Sequence, residues 1–299
     1  MIYVEETLTS GAIPAVLKPN LVYGEIMFGS RRPLAFLQAV REDSSLIGVD
    51  STAIQIEVDS QLSATSASES TIDASGYTAV EPSVTNVAVT IGNEVYSAFR
   101  LSKTLMEDKP SVDWVRNTLR NAGLAVMEYL DSAIRDCLIA GAYTTYPMAA
   151  GGTTTYADLT GAVQGMKSLH WYPEEGNPFM CFLANQPVGD IMGSTTFVSS
   201  ERYTAGSLDK IVDGEVGKIA GMKVLETSNW SQSGSGPYLG LVVAPPTHKF
   251  GPSTILAWKR KMDVASRAYE DFARTVYIVS ARYGMGVVNS KAITLLSNC

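Results

Sequence analysis

The feature that most constrains this chain is one uninterrupted helical period. After Lys109-Pro110, Ser111 is suited to cap a helix, and Asp113 sets an anion in the first turn, where the helix dipole favours it. Val115, Leu119, Ala122, Val126, Leu130, Ala133 and Cys137 then recur at spacings of three and four, and Gly141 supplies the stop. The spacing predicts a helix over 111–141, about 30 residues and roughly 45 Å long at 1.5 Å per residue. An ordinary globular helix has about 11–12 residues. An element this long sets one dimension of whatever packs on it, so it reads as the spine of the fold.

The stretch before the spine has a different character. Between Arg41 and Arg100 there is no lysine or arginine, but there are nine carboxylates: Glu42, Asp43, Asp50, Glu57, Asp59, Glu69, Asp73, Glu81 and Glu94. Its formal charge of −9 exceeds the −7 of the whole chain, so the remainder sums to +2. Within it, Ala53–Asp59 alternates with Ile54, Ile56 and Val58 on one side and Gln55, Glu57 and Asp59 on the other. Val87-Ala88-Val89-Thr90-Ile91 alternates likewise, with Val87, Val89 and Ile91 sharing a side. Period two marks half-buried strands. Between the runs lies a tip from Ser60 to Ala79 rich in Ser, Thr and Ala. The expectation is a long two-stranded arm, and because a lone hairpin is marginal in water, the arm must rest on something outside itself.

The other segments read more coarsely. Residues 1–20, interrupted by Gly11, Pro14 and Pro19, suggest an extended arm, and Leu34, Leu37 and Val40 a short helix over Pro33–Arg41. The second strand of the hairpin is expected to run on through Val95 and Phe99 to Leu101. Residues 142–157 read as a Gly/Thr/Tyr loop and the best domain boundary. Beyond it the texture turns mixed α/β: a helix capped by Asp158 with Ala162, Val163, Met166 and Leu169 on one face, a buried strand Phe179–Leu183, and a short helix opened by Asn185 and Pro187. A polar loop fills 194–213. Val216–Val224 reads as strand and tight turn, 231–237 as a loop, and Tyr238–Ala244 as a second buried strand. Three β-like runs follow, Ile255–Trp258, Thr275–Ala281 and Ala292–Leu296. The fold class is α+β.

With 45% hydrophobic and 18% charged residues the chain has the composition of a globular protein, and no run of 18 or more apolar residues predicts a membrane span. The N-terminus lacks the basic and apolar regions of a secretory signal. Three scattered cysteines, Cys137, Cys181 and Cys299, make neither a disulfide framework nor a zinc site. Cys137 and Cys181 sit in apolar runs and read as core thiols. His170 and His248 lie in no HExxH or HxE arrangement, no G-x-S-x-G elbow or P-loop is present, and Gly284-Met285-Gly286 lacks the third glycine of a nucleotide loop. The acidic stretch has no calcium-loop spacing. No cofactor is implied.

Basic residues cluster elsewhere. Lys259, Arg260, Lys261, Arg267, Arg274 and Arg282 outnumber Asp263, Glu270 and Asp271, and Arg100, Lys103, Lys109, Arg116 and Arg120 outnumber Glu107, Asp108 and Asp113. An acidic arm and a basic body on one chain suit a protein that binds copies of itself head to tail. The contact is expected to involve Ile54, Ile56, Glu57, Val58, Asp59, Val87 and Val89 on the arm, and Arg116, Arg120, Lys259, Arg260 and Lys261 on the body.

The order of parts, together with local phrases, carries a resemblance. Leu101-Ser102-Lys103-Thr104-Leu105-Met106-Glu107-Asp108 before the spine, Asn185-Gln186-Pro187 after a buried strand, the glycine-punctuated turn Gly214–Val224, and Arg282-Tyr283-Gly284-Met285-Gly286-Val287-Val288 near the end stand in one sequence. The chain resembles the major capsid proteins of tailed double-stranded DNA viruses with the HK97-type fold. That resemblance implies an N-terminal arm and short helix in 1–41, an E-loop hairpin in 42–103, a P-domain over 104–154 with its spine helix at 111–141, an A-domain over 155–250, and a return to the P-domain over 251–299. It implies self-assembly into hexamers and pentamers of an icosahedral shell, formed in the host cytoplasm and found in the virion. The implied partners are further copies, scaffolding and portal proteins, a decoration protein, and packaged DNA held by weak non-specific contact, with no membrane. Some relatives join an E-loop lysine to a neighbour's asparagine; this loop has no lysine, so that cross-link cannot form from it. Other relatives carry a long N-terminal scaffolding segment that is cleaved off; residues 1–20 do not read as one, so scaffolding is expected to be either separate or already removed. The alternatives are an encapsulin-like compartment shell and an α/β enzyme whose β-arm makes oligomers.

Overall fold

The computed structural model describes residues 35–59, 84–102, 112–148, 154–174, 176–193, 215–219, 221–230, 238–269 and 274–298. The N-terminal arm, the hairpin tip, the Ser111 cap, the 194–213 and 231–237 loops and Cys299 therefore lie outside the described residues.

The spine is α1, Val112–Ala140, 29 residues and about 43 Å long. Its buried seam is Leu119, Ala122, Val126, Leu130, Ile134 and Leu138. In the last turns the seam falls one residue later than the expected Ala133 and Cys137, which are only partly covered. Gly141 follows the helix, but its φ is not in the left-handed region. Its lack of a side chain answers a close approach instead, because a Cβ there would lie 2.3 Å from Val287 Cγ2.

Two sheets pack on the spine. The first has the order β1-β10-β11-β4, with β1 at Arg41–Asp43, β4 at Asn93–Ser102, β10 at Thr254–Tyr269 and β11 at Arg274–Val287. Strands β10 and β11 form a long antiparallel pair, β4 adds antiparallel to β11, and β1 lies parallel to β10. Val95, Leu101, Val264, Tyr277 and Val279 face the spine within one hydrophobic cluster. The expected helix over Pro33–Arg41 is a single 3-10 turn, Phe36–Ala39, and Arg41 already belongs to β1. Phe36 explains the shortness: it is fully buried against Phe182 and Trp230, with ring centroids at 4.8 and 6.0 Å, which fixes the chain before it can continue a helix.

The second sheet has the order β5-β12-β9-β6-β8-β7. These strands are β5 Thr144–Met148, β6 Phe179–Leu183, β7 Glu215–Ile219, β8 Met222–Glu226, β9 Tyr238–Val243 and β12 Ile293–Asn298. The 142–157 segment is thus not wholly loop. Pro147 is compatible with β5 because, among the described residues, that strand lies at the sheet edge, bonded to β12 alone. Nor does the chain after 251 return as a block to the first sheet, since β12 inserts between β5 and β9. One face of this sheet joins the spine cluster through Phe182, Leu241, Val243 and Leu295. The other packs beneath α2 (Tyr156–Ser168) and α3 (Asn185–Gly193) through Leu159, Val163, Met166, Val188 and Ile191. The cap of α2 is Thr155, one turn earlier than expected: its Oγ1 accepts from Asp158 N at 3.4 Å, and Asp158 Oδ2 accepts from Thr155 N at 2.8 Å, a capping box. His170 takes the left-handed position that closes the same helix, with φ 66°.

The third sheet is the arm alone: β2, Ala53–Asp59, paired antiparallel with β3, Val84–Thr90. The expected single strand from Val87 to Leu101 breaks at Ile91-Gly92 and changes sheets, leaving the arm as β3 and entering the body as β4.

Candidate functional site

The arm's register settles its two faces. Ile54 stands opposite Val89 and Ile56 opposite Val87, with Val58 beyond them opposite Thr85. Gln55, Glu57 and Ala88 point the other way and are exposed. The side chain of Asp59 lies outside the described atoms. At the root, Val89 and Ile91 are buried with Leu46 and Ala257, and Ile54 and Ile56 lean on that cluster. Val89, expected at a contact between subunits, is 0% exposed within its own chain, which corrects that assignment. Ile54, Ile56, Val58 and Val87 stay only half-buried.

The basic run on β10 is engaged at home. Lys259 Nζ donates to the carbonyls of Val49 and Ser51, the latter at 3.0 Å. Arg260 bridges Glu94 and the Ser280 hydroxyl, the second at 3.0 Å. Lys261 lies 4.0 Å from Glu42, whose carboxylate also accepts from Trp258 Nε1 at 3.0 Å. Of the three residues expected to receive a neighbour's acidic arm, Lys259 thus holds the approach to this chain's own arm, while Arg260 and Lys261 face carboxylates on β4 and β1 of the body sheet. Arg116 and Arg120 sit apart from this triad, half-buried on the spine.

Pairing exposes a different basic surface that composition could not locate. On the sheet face turned away from the spine, successive rungs across β4, β11 and β10 read Glu94–Arg282–Arg260, Tyr96–Ser280–Asp263, Ala98–Ile278–Ala265 and Arg100–Val276–Arg267. Tyr96 is 69% exposed, and Ala98, Arg100, Ala265, Arg267 and Arg282 are exposed too. Four guanidinium groups against two carboxylates thus surround a small apolar strip.

The remaining sequence candidates have packing roles. His248 is buried, with its ring 4.7 Å from that of Trp171. Its Nδ1 accepts from Phe250 N at 3.3 Å, so Nε2 carries the proton and donates to the Tyr172 carbonyl at 3.0 Å. Cys181 is fully buried, and burial pushes its thiol up to about 12; the half-buried Cys137 is raised for the same reason. Among the described residues no group of three or more His, Cys, Asp or Glu could hold a metal ion.

An arm on a body of this architecture has relatives. Residues 93–296, from the first residue of β4 to within β12, match the family model described as phage capsid protein. The chain belongs to the phage capsid protein family. This phage capsid protein shares its fold with the capsid of the cyanophage P-SCSP1u at 13% identity and a TM-score of 0.68, covering 99% of this chain and 93% of that one. The mature capsid of bacteriophage PhiM1 gives 10% identity and a TM-score of 0.66, covering 100% and 91%. A virus-like particle from Pyrococcus furiosus gives 11% and 0.57, covering 93% and 98%. The shared architecture is the HK97-type capsid fold, and the capsid protein is a structural component of the virion shell. No curated protein matches its sequence.

Proposed function

We propose that this capsid protein assembles into hexamers and pentamers of an icosahedral shell enclosing double-stranded DNA, with subunits joined non-covalently by the acidic arm. The observation that carries the reading is the arm itself. Among the described residues it is a two-stranded sheet of β2 and β3 alone, with a half-buried apolar face and no positive charge. A second copy supplies what it lacks. The outer sheet face offers an apolar strip at Ala98, Ile278 and Ala265 for Ile56, Val58 and Val87, flanked by Arg100, Arg267 and Arg282 for the arm's carboxylates. Each exposed ion pair is worth only about 0.2–1 kcal/mol, so strength comes from repetition around the shell. Scaffolding and portal proteins, and a decoration protein, complete the expected partners, with assembly in the host cytoplasm. Contact with packaged DNA is weak and non-specific, as a net charge of −7 suggests.

Negative-stain microscopy of the purified protein is the test. Closed particles of uniform diameter support the reading, and a small fixed oligomer overturns it. The absorbance ratio of particles from infected cells separates packaged nucleic acid from protein cargo.

A further inference from the structure

The glycines of Gly284-Met285-Gly286 are explained by the arm. Neither has a left-handed φ, so neither is required by its own backbone. Both stand on the outer face of β11, where the root of β3 crosses. A Cβ on Gly284 would lie 2.3 Å from the Thr90 carbonyl oxygen, 2.8 Å from its carbonyl carbon and 3.0 Å from Ile91 Cα. A Cβ on Gly286 would lie 2.7 Å from Val89 Cγ2. At Gly284 the obstacle is backbone, which cannot rotate out of the way.

The same crossing is held from both sides. On the β2 side, Ile91 N donates to the Thr52 carbonyl at 2.8 Å, and Lys259 grips the carbonyls of Val49 and Ser51. Lys259 sits where the β10–β11 register shifts between Trp258 and Arg260, a bulge of the kind that re-aims a side chain. On the β4 side, Arg260 ties Glu94 to Ser280. The arm therefore leaves the body at an angle fixed within one subunit.

We propose that Gly284 and Lys259 are positioning residues that set this angle, and through it the curvature at which copies join. The inference rests on the reading of the arm as the link between subunits. Relieving a 2.3 Å contact to ordinary van der Waals distance lifts the root by about 1 Å. Seven-residue strands, about 23 Å long, carry that tilt outward.

The test compares wild type with Gly284→Ala, Lys259→Met and Ile56→Asp, each checked for folding by circular dichroism and for products by sedimentation and microscopy. Gly284→Ala is expected to fold and to give shells of altered diameter or open sheets, with Lys259→Met shifting diameters the same way. Shells of wild-type diameter from folded Gly284→Ala overturn the proposal, even when their yield falls. Where Gly284→Ala does not fold, Lys259→Met decides by the same criterion. Ile56→Asp separates the two ideas. If it assembles like wild type, the arm is not the link; if it blocks assembly while the two positioning variants keep the wild-type diameter, only the aiming role fails.

Discussion

Asp131 accepts a hydrogen bond from the Phe36 backbone N–H at 2.9 Å, across 95 residues of chain. Its other oxygen accepts from Asn229 Nδ2 at 2.9 Å, while Asn229 accepts in turn from Ser132 and from Arg135. One carboxylate on the spine thus ties down the segment that enters the fold and the connection between β8 and β9. Asp131 is 5% exposed, and burial raises its pKa above the ordinary 3.8, against the opposing hydrogen bonds from Asn229, Phe36 and Leu37 and the charge of Arg135.

Replacing Asp131 with alanine leaves the buried Phe36 N–H and the half-buried Asn229 amide without this acceptor, at about 1–3 kcal/mol for a fully buried donor and less for a half-buried one. Urea unfolding of dissociated subunits is expected to show a loss of about 3 kcal/mol. The pH dependence has a definite sign. A folded pKa above the unfolded one means that the folded subunit binds the proton more tightly. Wild type should therefore gain stability relative to Asp131→Asn, which cannot titrate, as pH falls through the raised pKa, and lose that gain on return to neutral. A difference moving the opposite way between pH 7 and pH 4 refutes the assignment.

Val89 and Ile56 face the same side of the arm but answer to different partners. Val89→Ala should lower subunit stability by about 2 kcal/mol, because the lost contacts lie within the chain. Ile56→Asp should cost subunit stability only about 1 kcal/mol, since Ile56 is half-buried at the edge of the same cluster, and should remove assembly. Denaturant curves paired with light scattering separate them; equal stability losses in both would place Ile56 in the subunit core.

Charge reversal probes the outer sheet face. Glu57→Lys alone and Arg100→Glu with Arg267→Glu should each reduce assembly at low salt, and the combined variant should recover part of it. Each pair contributes up to about 1 kcal/mol, or about fivefold per contact. All three differences should shrink at 1 M salt, where screening falls to about 3 Å. Assembly of the reversed proteins at the wild-type rate in low salt removes the arginine face as a seat.

The thiol of Cys181, pushed up to about 12 and fully buried, is expected to resist iodoacetamide at pH 8 in the native subunit and to react promptly in denaturant. Mass spectrometry of alkylated peptides in a Cys299→Ser background reads this directly. Native labelling at Cys181 within minutes contradicts the buried placement.

Legibility from sequence followed the range of the forces involved. The arm's faces were readable because a period of two assigns each side chain locally, and Ile54, Ile56 and Val58 share the predicted side. The spine was readable for the same reason, except where two sheets compete for it. Near its end, Ala133 and Cys137 as well as Ile134 and Leu138 are apolar, and only the packing of distant strands selects the latter pair. Strand β5 was hidden because Thr144–Met148 carries a proline, which a sheet tolerates at its edge, and stands beside a Gly/Thr-rich stretch. The arginine face and the grip of Lys259 on residues some 210 positions earlier depend on cross-strand registers that no local pattern encodes. Two glycines at positions i and i+2 of a strand were the one available hint of a backbone crossing.

The placement of β12 has a consequence for how the protein is made. Residues 293–298 form an interior strand of the six-stranded sheet, flanked by β5 and β9, so that sheet cannot close while those residues are still inside the ribosome. A nascent or prematurely terminated chain has an arm but lacks the strand that joins β5 to the rest of its second sheet. Until β12 is in place, the spine lacks the cover that Ile293 and Leu295 give it, so the proposed assembly draws on subunits in which this strand has already paired.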